Sequence, residues 1–69
     1  MTTSKYTKQE RANLAAEAAN AMCAVYEAEG EYGDFNDAAR YLRDDAPDWE
    51  LRDEHEKWTK LAKKLDAAQ

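Results

Sequence analysis

Sixty-nine residues with a formal net charge of −5 leave room for one domain, residues 1–69, and a thin core, because 14 of the 30 apolar residues are alanine. So little Leu, Val and Phe would suit a disordered chain, but seven aromatic residues supply large apolar areas, and a small ordered bundle built on them is expected. No apolar run is long enough to span a bilayer or resembles a signal peptide, and the one cysteine, Cys23, rules out an internal disulfide, which together fit a cytoplasmic protein.

Met1 to Tyr6 is polar and reads as a frayed lead-in. A first helix is predicted over about 7–29. Thr7 and Glu10 have the spacing of a capping box, eight alanines favour helix throughout, and Gly30 can close it in the left-handed conformation. Leu14, Ala18, Ala21, Met22 and Val25 share one face, mostly small, so a partner helix can come close. Gly30-Glu31-Tyr32-Gly33 is the first loop. Asp34 is expected to cap a short second helix over about 35–45, whose apolar stripe is Phe35, Ala38, Ala39 and Leu42. Pro47 ends it or sits just after. A third helix over about 48–67 is expected to be capped by Asp48, or by Asp45 with Pro47 in its first turn. Its seam is Leu51, His55, Trp58, Ala62 and Leu65, widened by Leu61. The fold class is all-α: a compact three-helix bundle, long, short, long. Trp49 and Trp58 are nine residues apart, about 180° around a helix, so they cannot share one core. Trp58 is placed against the first helix. Trp49 falls at the second corner, partly exposed, either packed under the Pro47 turn or free as an anchor for a partner.

Charge is distributed unevenly. Residues 1–26 carry +1, residues 27–56 carry −9 and residues 57–69 carry +3. Helix ends account for part of this, since acids are favoured near N termini and bases near C termini by about 0.3–1 kcal/mol each. The third helix follows that rule, and Asp53–Lys57 and Glu56–Lys60 are spaced as favourable i, i+4 pairs. Glu27, Glu29, Asp44 and Asp45 break it, lying at the C-terminal ends of the first and second helices, and Glu31 adds to the first group from the loop.

Several chemistries can be set aside. Asp34, Asn36 and Asp37 start like a calcium loop, but Ala38, Ala39 and Asp45 stand where the next ligand, the Gly and the Glu are required. One His and one Cys cannot hold zinc by themselves. No serine elbow, P-loop or GxGxxG is present, and His55 on an apolar stripe reads as structural, so no enzyme, metal or cofactor is expected. A helix-turn-helix reading would present Glu50, Asp53, Glu54 and Glu56 to phosphates, which argues against direct nucleic-acid binding and leaves it as a third alternative.

The expected function is a small acidic non-catalytic protein that binds and blocks a basic, nucleic-acid-binding protein surface. Glu27, Glu29, Glu31, Asp44 and Asp45 would make the contact, with Tyr32 or Trp49 as anchor. Tyr41 is a further exposed aromatic that could serve. In size and acidity the chain is similar in kind to the small inhibitors that phages carry against host nucleic-acid enzymes, anti-CRISPR proteins among them, though no motif identifies a family. The alternative is a helical self-associating module, a homodimer in the simplest case, warranted by the thin core and the seam of the third helix.

Overall fold

A computed structural model describes residues 4–31 and 33–68. It is all-α, with α1 (Lys8–Ala28), α2 (Asn36–Asp44) and α3 (Asp48–Ala68), the long-short-long bundle that the periodicities predict. The termini of α1 follow local rules closely. The Thr7 side chain accepts from the Glu10 N–H at 3.1 Å, and the Glu10 carboxylate accepts from the Thr7 N–H at 2.8 Å, a reciprocal capping box. At the other end Gly30 sits at φ 78°. The Gly30 N–H donates to the Glu27 carbonyl at 3.0 Å and the Glu31 N–H to the Tyr26 carbonyl at 2.9 Å, a Schellman closure.

The second and third helices begin differently from expectation. Phe35, not Asp34, is the cap residue of α2 and offers no side-chain bond. Asp34 accepts from the Asn36 N–H at 3.0 Å, one position too early to cap, because Phe35 must turn its ring back onto Tyr26 of α1. Neither Asp45 nor Asp48 bonds an N–H of α3; the Asp48 carboxylate is taken by Ser4, Lys5 and Arg11.

The contacts fix the directions. Arg11, near the start of α1, reaches the end of α2 and the start of α3. Tyr26, near the end of α1, stacks edge-on against Phe35 at 4.9 Å and lies 6.1 Å from the Trp58 ring of α3. So α2 runs antiparallel to α1, and α3 runs parallel to it. Ala15, Ala18 and Met22 of α1, Leu42 at the end of α2, Ala46 in the corner and Leu51 of α3 form the buried cluster. The alanines let the helices approach closely, and among the described residues Leu51 is the one large side chain that is completely enclosed.

Burial fades along α3. At 1.5 Å per residue α1 and α3 are each about 32 Å long and α2 only about 14 Å, so α2 can cover only part of either neighbour. After Leu51 no described residue of α3 is buried. His55, Trp58, Ala62 and Leu65 are half-buried, so the seam exists but is shallow, and Trp58 is less enclosed than expected. Leu61 does not widen it: the side chain is 36% exposed, off the edge of the contact with α1. No described helix is long and apolar enough to cross a membrane.

Candidate functional site

The corner between α2 and α3 is held by a residue of α1. The Arg11 side chain is only 12% exposed and its guanidinium uses all five N–H donors. Nε donates to the Arg43 carbonyl at 2.8 Å and Nη2 to the carbonyls of Leu42, at 2.9 Å, and Ala46. Nη1 donates to Asp48 Oδ1 at 2.8 Å and to Ser4 Oγ at 3.3 Å. Two of those carbonyls belong to the last turn of α2, where no intrahelical donor is available. A cation at a helix C terminus also suits the dipole. The Asp48 carboxylate in turn accepts from the Ser4 hydroxyl at 2.6 Å, the Lys5 N–H at 2.6 Å and Arg11. The Ser4 and Lys5 hydrogen bonds, reinforced by the Arg11 and Lys5 charges, hold the Asp48 carboxyl below the usual carboxylate range. One side chain therefore caps α2, fastens α3 and ties the N-terminal segment to both.

Sequence reasoning passed over Arg11, although a signal was present. The dipole rule that singled out Glu27 and Glu29 as acids at a C terminus applies equally to a cation near an N terminus, and Arg11 sits one turn into α1.

Asp44, Asp45 and Trp49 surround this corner. Asp44 is not free: Arg43 forks onto it at 2.8 and 2.7 Å, and that hydrogen-bonded pair lowers the Asp44 pKa and raises that of Arg43. Asp45 is exposed and makes no ion pair among the described residues. Trp49 is 62% exposed at the rim of a cleft lined by Tyr6, Pro47 and Arg52, so it is not packed away beneath the Pro47 turn. Tyr41 is also exposed, its hydroxyl donating to the Glu50 carboxylate at 2.8 Å. That hydrogen bond, then burial and the Glu50 charge, push its pKa up.

Glu27, Glu29 and Glu31 gather at the other end of α1, around the Gly30 closure. All three are exposed. Among the described residues none of them has a cation within ion-pair distance; Glu27 accepts only from the Cys23 thiol, at 3.5 Å. Partial burial and the bond to Glu27 raise the Cys23 pKa, which suits a packing thiol and not a nucleophile. Tyr32, the proposed anchor on this side, lies outside the described residues. From Arg11 to Tyr26 is fifteen residues, about 22 Å along the axis at 1.5 Å per residue, so the two sets of acids occupy opposite ends of the bundle.

Neither of the i, i+4 ion pairs expected within α3 is made among the described residues. Asp53 turns to its neighbour Arg52, at 3.8 Å, and the Lys57 ammonium lies 5.0 Å over the Trp58 ring. His55 finds its carboxylate across the bundle, with Nε2 3.3 Å from Glu17 of α1. Its own-helix neighbours point elsewhere; Glu54 accepts from the Trp58 indole at 2.8 Å. Among the described residues no three of His, Cys, Asp and Glu converge on a point where a metal ion could sit. No known protein family, curated protein or solved structure matches this chain.

Proposed function

We propose that the chain is a small non-catalytic protein that binds and blocks a basic, nucleic-acid-binding surface of another protein, in the manner of a DNA mimic or an anti-CRISPR-like phage inhibitor. One observation carries the reading: Glu27, Glu29 and Glu31 stand exposed and uncompensated by any described cation at the C-terminal end of α1. The helix end contributes roughly half a negative charge of its own there, so the local field is more negative than three carboxylates alone would make it. Such a patch raises the encounter rate with a cationic surface and offers acceptors to arginine and lysine in place of phosphates. Asp44 and Asp45 contribute less, since Arg43 neutralises the first and Arg11, Lys5 and Arg52 surround the corner.

The test is parallel affinity capture from a bacterial lysate with the parent chain and a Glu27→Lys/Glu29→Lys/Glu31→Lys variant of matched helicity, each followed by elution with duplex DNA. The reading requires a nucleic-acid-binding protein that the parent retains, DNA displaces and the variant fails to hold. Equal retention by both chains would refute it.

A further inference from the structure

We infer that the exposed stripe of α3 is a docking face for a second copy of this chain, joined antiparallel about a two-fold axis near Trp58. The stripe reads Trp49, Asp53, Glu56, Lys60, Lys63 and Ala67, at helical spacings of four, three, four, three and four, and every one of these side chains is exposed. Its acidic members all precede its basic ones. An antiparallel copy centred near Trp58 sets Glu56 against Lys60, Asp53 against Lys63, and Trp49 against Ala67, each contact occurring twice because the interface is isologous.

Acids early and bases late would suit the helix dipole in any helix, so the order alone decides little. Within the chain, however, these charges are not consumed: among the described residues Glu56, Lys60 and Lys63 form no ion pair, and Asp53 has only Arg52 at 3.8 Å. Among the described residues the most exposed large apolar side chain, Trp49, sits at the end of the stripe, where a partner helix would cover it. The chain also exposes more surface than its size calls for. Its accessible area is 5292 Å², against about 4400 Å² for a compact monomer of this mass. The Cα radius of gyration is 12.5 Å, against about 11 Å for a compact chain of this length. The stripe shares no residue with Glu27, Glu29 and Glu31, so self-association and the proposed function can each fail without the other.

Ion pairs dominate such a contact, so association should be strong at low ionic strength and fade with salt. Sedimentation velocity on the parent chain should give twice the monomer mass at low salt and the monomer mass at high salt. Glu56→Lys alone, or Lys60→Glu alone, sets like charges together and should weaken association about tenfold or more. Mixing the Glu56→Lys chain with the Lys60→Glu chain restores both contacts, and the mixture should dimerise more tightly than either chain does by itself. Far-UV circular dichroism of each variant confirms an intact bundle. A parent that is monomeric at low salt, or a mixture no more associated than its components, would overturn the inference.

Discussion

Replacing Arg11 tests whether one guanidinium holds the corner of the bundle. In Arg11→Met the stem still covers the corner, but the carbonyls of Leu42, Arg43 and Ala46 lose their donor and Asp48 loses its cation. A hydrogen bond of this kind contributes about 1 kcal/mol net, so the three carbonyls alone account for about 2–3 kcal/mol once some water reaches them. A domain of this length has about 3–10 kcal/mol of stability in total. The loss should therefore lower the melting temperature by about 10–20 °C, at roughly 4–8 °C per kcal/mol for a chain of this size. Arg11→Lys keeps the charge but offers three donors from a point in place of five from a planar fork, and should fall between the parent and Arg11→Met. Urea unfolding followed by far-UV circular dichroism measures this, with an unchanged slope showing that the native state remains compact. A double-mutant cycle with Asp48→Asn should be clearly non-additive, because the two residues share one network. If Arg11→Met melts within about 0.5 kcal/mol of the parent, the fivefold bonding is not what fastens α2 to α3.

Leu51→Ala should remove about 2–5 kcal/mol, much of the total, by opening a cavity at a large side chain that is fully enclosed, whereas Leu61→Ala, made off the edge of the seam, should cost under about 1 kcal/mol; thermal melts of both decide it, and equal losses would mean that α3 packs more evenly than its burial implies. Acid should loosen the corner. Asp48 and Asp44 have folded-state pKa values below those of the unfolded chain, so the unfolded chain takes up protons first as pH falls. Their contribution is complete above about pH 4 and drains away as pH drops through the lower folded values. The melting temperature should decline in that acid range, Asp48→Asn should flatten the decline, and Asp44→Asn should alter it less and only at low salt, since its partner Arg43 is half exposed.

The elements that obey local rules could be read from the chain, and those that depend on a distant partner could not. The Thr7–Glu10 box and the Gly30 closure are short-range, and both ends of α1 follow from them. The Ala18, Ala21, Met22 and Val25 face follows from the 3.6-residue period and is buried as that period requires. Asp34 and Asp48 escaped because capping competes with other donors. Phe35 takes the cap position of α2 in order to reach Tyr26, and Asp48 is drawn off by Ser4, Lys5 and Arg11, separated from it by 44, 43 and 37 residues. Nothing local announces contacts of that range. The same holds for His55, tested against its sequence neighbours while its partner Glu17 lay on another helix.

The fate of the carboxylates shows how much charge is left for a partner once folding has used its share. Glu10 closes a capping box, Asp48 anchors the corner, Asp44 is neutralised by Arg43, Glu50 accepts from Tyr41, Glu54 from Trp58 and Glu17 faces His55. Each of these has a bonded partner in the bundle, so each stabilises or at least tolerates the native state. Glu29 and Glu31 have none among the described side chains, and Glu27 has only a thiol. These three also sit where the helix dipole is against them, at a cost of a few tenths of a kcal/mol apiece. In a chain with so thin a core that cost is not negligible against the total. Placement that local stability opposes, in a molecule that finds partners for most of its other acids, is what an interaction with a cationic surface would explain. It also makes a directional demand: reversing Glu27, Glu29 and Glu31 to lysine should leave the melting temperature unchanged or slightly raised while partner capture is lost. Selection for solubility alone would allow those charges to lie anywhere on the surface.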